Sequence, residues 1–391
     1  MKKVLAVGLS GIIALSLAGC GGSSSSGSSG STPGSGGDGG VIKIAVAAPM
    51  TGDNSEYGIG YSNAVKLMAQ QYNDNGGLTI GGKNYTIEVD DYDDKNTTDE
   101  AMVVAEKIVS DPDVVGVIGH FSSGVCMAAA PTYQDAHVIE ISPSASQAEY
   151  SSIGDYIFRN NSVINVETHS GAEIAVTDLG LKNIGILSID TEWGQSTAKA
   201  MKSNIESLGG TMVLQQEVAA SQVDFQKEIA NFQSAGAEAV MVAGQYETLA
   251  PFAVACKNVG YNVTLIGCSN AYTDNLLSIA GDAAEGIYCP VSFFAESDDP
   301  DIQAFVSAYS SAYDGKTPSA LTAQAYDSAG ILIEAIKAAD SLDHEAIKDQ
   351  IFKTDYQGVT GETTFNEIGD ATKEFTKIMV KDGKFVPADF N

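Results

Sequence analysis

The most constraining feature of this sequence is an alternation of short apolar runs with amphipathic stretches, which begins at residue 41 and later starts again. In the first series, an apolar run at 41–46 precedes an amphipathic stretch at 58–75. In the second series, the segments 183–189 and 197–208 repeat that order, and a pair of glycines closes the amphipathic stretch in each case. Strands that alternate with helices form parallel sheets covered by those helices. Two such series therefore predict an α/β protein with two parallel-sheet lobes.

Further apolar runs predict the remaining strands. The predicted strands are 41–46, 85–89, 114–118, 137–141 and 156–159 in the first series, and 183–189, 211–218, 239–243, 263–267 and 286–291 in the second. The end of the chain, 375–386, is predicted to form a hairpin, because Asp382-Gly383 is a typical type I′ turn pair and lies between two apolar arms.

The N-terminus resembles a bacterial lipoprotein signal peptide. Two lysines precede a mostly apolar stretch at 4–17, which is too short to span a bilayer comfortably. Leu17-Ala18-Gly19-Cys20 then looks like a lipobox, in which cleavage precedes a cysteine that becomes diacylated. We expect residues 1–19 to be removed and Cys20 to carry the lipid. The segment 20–40 is almost entirely Gly and Ser after its cysteine, which predicts a flexible tether.

Charge and cysteine content disfavour two classes of function. The chain has 21 Lys and Arg against 50 Asp and Glu, a formal net charge of −29. Such a surface repels a phosphate backbone, so nucleic-acid binding is not expected. The cysteines of the body lack the spacing of a zinc site. The sequence does not decide between free thiols and disulfides for Cys126, Cys256, Cys268 and Cys289.

The stretch Gly119-His120-Phe121-Ser122-Ser123-Gly124 follows an apolar run and presents two adjacent serines. A hydrolase nucleophile at such a strand end needs the pattern Gly-x-Ser-x-Gly, because the glycines permit a strained turn. Ser122 has His120 in place of the first glycine, and Ser123 is flanked by Phe121 and Val125. The spacing therefore disfavours an enzyme.

Metal and cofactor sites are not expected either. The acidic run at 90–96 looks like a calcium loop, but it lacks the glycine and the distal glutamate of an EF-hand. It fits better as the end of a strand that leads into a capped helix, where acidic side chains meet the positive end of the helix dipole. Gly58-Ile59-Gly60 lacks the third glycine of a dinucleotide-binding motif.

The serine pair fits a carboxylate-binding loop better. In open α/β sheets, ligands bind beyond the carboxyl ends of the strands, where helix N-termini offer free N–H groups and partial positive charge. Ser122 and Ser123 would stand at one such end, and Ser142-Pro143-Ser144-Ala145-Ser146 follows the next strand. Two neighbouring loops rich in donors would converge on one carboxylate, although helix capping alone would also explain these serines.

Segments spread over the body of the chain resemble the Leu/Ile/Val-binding family of solute-binding proteins, which serve ABC importers. They occur in the family's order and cover residues 41 to about 390. The segments are Ala48-Pro49-Met50-Thr51-Gly52, Tyr57-Gly58, Asn73-Asp74-Asn75-Gly76-Gly77, Val89-Asp90-Asp91-Tyr92-Asp93-Asp94, Gly119-His120-Phe121-Ser122-Ser123, Ile141-Ser142-Pro143-Ser144-Ala145-Ser146, Phe158-Arg159, Trp193-Gly194 and Gly281-Asp282-Ala283-Ala284-Glu285-Gly286.

The resemblance implies the type I periplasmic-binding fold, in which two Rossmann-like parallel-sheet lobes close on a ligand like a hinged clamp. Three crossovers would join the lobes, near residues 160, 290 and 355. The expected limits are 41–160 plus 291–354 for lobe 1, and 161–290 plus 355–391 for lobe 2.

The resemblance also implies a ligand between the lobes. The two serine loops of lobe 1 would hold a carboxylate, aromatic side chains would wall the pocket, and two loops of lobe 2 would complete it. The expected ligand-binding residues are Tyr57, Phe121, Ser122, Ser123, Ser144, Ala145, Ser146, Trp193, Gln245, Tyr246, Ser269 and Asn270.

One position departs from the family pattern. The family's amino-acid binders carry an acid on a second-lobe loop, and this acid pairs with the ligand ammonium. Here Ser269 stands in its place, and Asp274 and Glu247 are candidate substitutes. A buried ammonium without a partner is costly. The ligand is therefore either an amino acid held by another group, or a carboxylate or amide without that amine.

Together with the lipobox, the resemblance implies a monomeric lipoprotein anchored by Cys20 at the outer face of the membrane, on a Gram-positive cell surface. It would pass a branched-chain or other hydrophobic amino acid to an ABC permease. The alternatives are a receptor for another small carboxylate, amide or sugar, and a sensory ligand-binding module. Neither catalysis nor a cofactor is expected.

Overall fold

The computed structural model describes residues 37–390, which form two large sheets, one small hairpin and the helices that cover them. The predicted signal peptide 1–19, the lipidation site Cys20 and most of the predicted tether lie outside the described residues.

The first sheet has six strands in the order β2-β3-β1-β4-β5-β6. Neighbouring strands run parallel, except that β2 is antiparallel to β3. The strands are β1 (Gly37–Ala48), β2 (Leu78–Ile80), β3 (Lys83–Asp93), β4 (Val114–Gly119), β5 (Glu140–Ser142) and β6 (Ile157–Arg159).

The second sheet has seven strands in the order β15-β14-β11-β10-β9-β7-β8. The five strands β7 to β11 run parallel, whereas β14 and β15 are antiparallel. The strands are β7 (Asn183–Ile189), β8 (Thr211–Val218), β9 (Ala239–Ala243), β10 (Thr264–Ile266), β11 (Tyr288–Val291), β14 (Thr376–Lys381) and β15 (Lys384–Pro387), while β12 (Tyr356–Gly358) and β13 (Gly361–Thr363) form the small hairpin.

Helices connect and cover the strands. They are α1 (Ser55–Asp74), α2 (Thr98–Val109), α3 (Ser123–Ala136), α4 (Ile164–Glu173), α5 (Glu192–Ser207), α6 (Gln226–Ala235), α7 (Tyr246–Asn258), α8 (Asp274–Ala280), α9 (Pro300–Ala312), α10 (Ala320–Ala339) and α11 (His344–Ile351). The parallel-sheet prediction is confirmed.

Alternate residues of the central strands enter different cores, which explains the apolar runs in the sequence. In β1, Ile44 and Val46 belong to one apolar cluster and Ala45 and Ala47 to another. Every residue of β4 is buried. A parallel strand covered by helices on both faces needs apolar side chains throughout rather than in alternation.

The predicted C-terminal hairpin is confirmed as β14 and β15. Asp382 and Gly383 connect the two strands with φ angles of 53° and 70°. A type I′ turn requires positive φ at both of its central residues, and its twist matches that of the flanking strands. The Asp-Gly pair therefore fixes this turn.

β1 begins earlier than the sequence pattern indicated. Gly37 pairs with Lys83 of β3, so residues 37–40 belong to the strand and not to the predicted tether. Strand pairing uses backbone groups, so this end of β1 can pair with β3 without apolar side chains. Apolar patterning therefore could not reveal it.

The chain passes between the two sheets three times. It leaves the first sheet at the end of β6, and it leaves the second after β11, from which it enters α9 beside α1. Asp327 of α10 accepts hydrogen bonds from the backbone N–H groups of Val359 and Thr360, and Arg159 of β6 donates to Asp370. We infer from these contacts that the third crossing follows Asp370 and not residue 355. The other lobe limits remain predictions.

The four cysteines of the body are free and buried thiols: Cys126, Cys256, Cys268 and Cys289. Burial raises the pKa of each thiol, so they behave as small apolar core residues. Within residues 37–390, no helix has the length and apolar character that crossing a membrane would need. The same part of the chain contains no group of His, Cys, Asp and Glu side chains that could hold a metal ion.

Candidate functional site

A small cavity lies between the two sheets. Both halves of the chain contribute to it. The lining residues are Phe121, Ser122, Ser123, Ser144, Ser146, Asn161, Glu167, Trp193, Gln245, Ser269, Asn270 and Leu321.

The start of α3 forms one wall of this cavity. The helix begins at Ser123, four residues after the last residue of β4, and Ser122 precedes it without a side-chain capping bond. The first N–H groups of a helix have no partner within the helix, and the helix dipole adds partial positive charge there. Ser123 is 1% exposed, and its Oγ accepts a hydrogen bond from the backbone N–H of Ser146 at 3.2 Å. Backbone and hydroxyl donors for an anion are therefore present at this wall.

The loop after β5 lies against the first. Ser144 Oγ donates to the carbonyl oxygen of Phe121 at 2.7 Å, which commits its single proton and fixes the spacing of the two loops. Ser146 Oγ accepts a hydrogen bond from Trp193 Nε1 at 3.2 Å. Ser146 therefore keeps its own proton for a further acceptor, whereas Ser144 holds the loop in place.

The second half of the chain contributes an acid to the opposite wall. Glu167 lies in the first turn of α4 and is 5% exposed. Its Oε1 accepts a hydrogen bond from the backbone N–H of Ser269 at 2.6 Å. Burial raises the pKa of this carboxyl group, and the hydrogen bonds from Ser269 oppose that rise.

Two amides of the same half of the chain also line the cavity, Gln245 and Asn270. Gln245 precedes α7 and makes no side-chain capping bond. The Oδ1 atom of Asn270 is buried and accepts no hydrogen bond from the described residues. Buried polar atoms normally have a partner, so a ligand donor could occupy this position.

Aromatic rings close one end of the cavity. Tyr57 stacks on Phe121 with 4.5 Å between the ring centroids and an interplanar angle of 11°. The Tyr57 hydroxyl donates to the carbonyl oxygen of Asn270 at 2.9 Å. Tyr246 lies 6.1 Å from Tyr57, measured between ring centroids. Phe121 therefore lines the cavity, Tyr57 stacks on Phe121, and Tyr246 lies next to Tyr57.

Nine of the twelve residues predicted from the sequence line the cavity, and three do not. Tyr57 stacks on Phe121, Tyr246 lies next to Tyr57, and Ala145 is fully buried in the loop between Ser144 and Ser146. Sequence reasoning missed Asn161, Glu167 and Leu321. Asn161 could have been found by the rule that identified the serines, because it follows the carboxyl end of β6. Glu167 and Leu321 lie on helices that follow crossovers, and no spacing signal marks them.

A larger and more open groove, with a volume of about 850 Å³, lies elsewhere on the molecule, between α1, α9, α10 and β12. All of its lining comes from the side of the first sheet, with no residue between 160 and 291. It therefore cannot join groups from the two sheets, and we assign the functional site to the smaller cavity.

Comparisons with known proteins agree with this geometry. Residues 41–384 match the family model described as periplasmic binding protein. The Leucine-, isoleucine-, valine-, threonine-, and alanine-binding protein of Pseudomonas aeruginosa is 27% identical over 331 residues, which are 84% of this chain and 87% of that protein.

Solved structures extend the similarity to the fold. A branched-chain amino acid transporter substrate-binding protein of Streptococcus pneumoniae, in complex with isoleucine, is 26% identical with a TM-score of 0.81, covering 88% of this chain and 97% of that one. An ABC-transporter solute-binding protein of Rhodopseudomonas palustris in complex with benzoate, 20% identical with a TM-score of 0.80 over 89% of this chain and 95% of that one, shares the fold. The chain therefore belongs to the periplasmic binding protein family and has the two-lobed type I fold of its branched-chain amino acid-binding members.

Proposed function

We propose that this protein is the extracytoplasmic solute receptor of an ABC importer and binds a branched-chain or other hydrophobic amino acid in the cavity between its lobes. The observation that carries the proposal is the convergence on one small cavity of anion donors from α3 and its neighbouring loop with an acid and two amides from the other lobe. An amino acid has a carboxylate, which the anion donors of the α3 wall would bind, and an ammonium, which the acid and the amides of the opposite wall would bind.

The carboxylate would meet the wall formed by α3 and the serine loops. Among the described residues that line the cavity, none is Lys, Arg or His. Neutral donors must therefore stabilise the anion: the first N–H groups of α3 and the hydroxyls of Ser123 and Ser146. Hydrogen bonds to a charged group are stronger than neutral ones, and the helix dipole adds to them.

Hydrogen bonds between the lobes indicate how a ligand would be retained. Four of them cross from one lobe to the other around the cavity, and they would separate when the lobes open. They join Tyr57 to Asn270 at 2.9 Å, Gln147 to Glu192 at 2.9 Å, Trp193 to Ser146 at 3.2 Å and Asn275 to Glu56 at 2.7 Å. A ligand bound to both lobes would favour the closed arrangement, because it adds contacts that the open form lacks.

The test of this function is a thermal-shift screen of the purified protein against L-amino acids, sugars, benzoate and aliphatic carboxylates. A ligand that binds the folded state raises the unfolding temperature by mass action. We expect the largest shifts with leucine, isoleucine or valine. Stabilisation by sugars or by carboxylates without an amine, and by no amino acid, would contradict the proposal and favour one of the alternative receptors. A sensory role predicts the same ligand but no loss of uptake when the gene is deleted.

Replacing Ser123 with Ala should weaken amino-acid binding by about 1.5 kcal/mol, roughly tenfold in Kd, because one hydrogen bond to the carboxylate is lost. Titration calorimetry with the amino acid that gives the largest thermal shift measures this effect. Ser152→Ala, which removes an exposed hydroxyl in the same lobe, is the matched control and should bind like the wild type. Equal affinities of the two variants would remove Ser123 from the site.

Replacing Cys20 with Ala should release the protein from the membrane fraction of producing cells, since a lipid on this residue is the proposed anchor. Fractionation with immunodetection, together with labelling by a fatty-acid analogue, measures both location and acylation. Cys256→Ala removes a buried thiol of the body and should leave both unchanged. A Cys20→Ala protein that stays on the membrane would refute this mode of anchoring.

A further inference from the structure

The cavity has an unbalanced charge. Among the described residues that line it, Glu167 alone has an acidic or basic side chain. A carboxylate ligand without an amine would bring a second negative charge into the same small space, with no Lys, Arg or His in the lining to offset it. Like charges in a buried site repel strongly. The cavity therefore favours a ligand that carries positive charge on the side of Glu167.

The position of Glu167 is suited to a bound cation. The side chain is 5% exposed, and the Ser269 N–H fixes one carboxylate oxygen at 2.6 Å. An ionised carboxylate has about four acceptor positions, so the hydrogen bonds from Ser269 leave others open for a ligand. A buried carboxylate without a countercharge is costly, and an ammonium that donates to it would offset that cost.

The two acids suggested by the sequence do not reach the cavity. Asp274 is exposed and lies in an outer groove beside Glu56 and Asn275. Glu247 is half-buried in the first turn of α7, but it is not part of the cavity lining. Ser269, which stands where an acid was expected, instead donates its backbone N–H to Glu167.

We propose that Glu167 is the anionic partner of the ligand amine and that it confers specificity for α-amino acids over the corresponding carboxylates. This assignment rests on the proposed function, since it presupposes an amino acid in the interlobe cavity. The carboxylate that pairs with the amine is thus on α4 and not on the loop that contains Ser269. The Ser269 N–H then acts as a positioning group that holds the carboxylate of Glu167 towards the ligand.

The decisive experiment compares L-leucine with 4-methylpentanoate, which has the same carbon skeleton without the amine, by titration calorimetry on the wild type and on Glu167→Gln. We expect the wild type to bind leucine at least 100-fold more tightly than 4-methylpentanoate. In Glu167→Gln, leucine affinity should fall about 100-fold, since one member of a buried charge pair is lost, and most of the discrimination should disappear. Glu247→Gln should bind both probes like the wild type.

Folding and binding can be separated in this experiment. Burial without a countercharge is costly for the Glu167 carboxylate and raises its pKa, so a neutral glutamine of the same shape should unfold at or above the wild-type temperature. Leucine affinity or leucine selectivity that is unchanged in Glu167→Gln would overturn the assignment, as would a loss confined to Glu247→Gln. A wild type that binds no amino acid at all would instead refute the proposed function, and the role of Glu167 would fall with it.

Discussion

Replacing Asp327 with Ala should lower the free energy of unfolding by about 3–5 kcal/mol, the cost of breaking a buried charge network from one side. Asp327 lies in α10 and is fully buried. Its carboxylate accepts hydrogen bonds from Val359 N at 3.0 Å, Thr360 N at 2.8 Å and Thr360 Oγ1 at 2.5 Å. Alanine would leave these donors without partners in a site that excludes water.

A buried lysine adds to the stability that Asp327→Ala should lose. Lys373 is 1% exposed, and its Nζ donates to Thr360 Oγ1 at 3.0 Å and to Thr363 Oγ1. Burial lowers the pKa of Lys373 to about 8, whereas the nearby charge of Asp327 raises it. Without Asp327, a charged ammonium would have no nearby anion to offset its desolvation.

Urea unfolding followed by circular dichroism measures the effect. Asp349→Ala removes an exposed acid of α11 and should change the free energy of unfolding by no more than about 0.5 kcal/mol. Adding Lys373→Met to Asp327→Ala should recover part of the loss, because the unpaired charge is then gone. If Asp327→Ala were as stable as Asp349→Ala, the network would not hold the β12–β13 hairpin to α10 as we infer.

The sheets could be predicted from the sequence because burial on both faces leaves a local signature. A strand such as β4 must be apolar at every position when helices cover both of its sides, and such runs are visible without any knowledge of distant contacts. The early start of β1 at Gly37 could not be predicted, since that part of the strand is recognised by backbone pairing with β3. The short strand β12 is held by tertiary contacts with α10 and pairs with β13.

The carboxylate wall of the site could be predicted for a topological reason. Ser123 and Ser146 each follow a strand of one parallel sheet, and neighbouring strands of that kind end at the same edge. The observed hydrogen bond between Ser146 N and Ser123 Oγ joins the two loops that this rule brought together. Ser144 was also predicted to bind the carboxylate, but its hydroxyl proton is donated to the carbonyl oxygen of Phe121.

The opposite wall could not be predicted in the same way. Glu167 accepts its hydrogen bond from Ser269, which lies 102 residues away in the sequence. This contact depends on the direction in which α4 runs after the first crossover. In the sequence, an acid in the first turn of a helix has an ordinary explanation in the helix dipole. Leu321 likewise reaches the cavity only because α10 follows the second crossover. Residues next to a crossover therefore carry site information that local patterns do not contain.

Replacing Trp193 with Ala should weaken amino-acid binding by roughly 2–3 kcal/mol, or about 30- to 150-fold in Kd, the magnitude typical of an aromatic anchor at a binding site. Trp193 lies in the first turn of α5, lines the cavity and donates its Nε1–H to Ser146 Oγ in the other lobe. Its removal takes away a wall of the cavity and one of the hydrogen bonds that join the lobes. Both losses act on the closed form, so the ligand should dissociate faster while the association rate changes little.

Trp193→Phe separates the two contributions, because phenylalanine keeps an aromatic wall but cannot donate a hydrogen bond. We expect this variant to lose only about 1 kcal/mol of binding free energy, the net value of one hydrogen bond. Because the chain has a single tryptophan, a change in tryptophan fluorescence on ligand addition in the wild type would report directly on this wall. If Trp193→Ala bound the amino acid within threefold of the wild type, the ring would not contact the ligand. If Trp193→Phe lost as much as Trp193→Ala, the contact between the lobes, rather than the wall, would be the main contribution of Trp193.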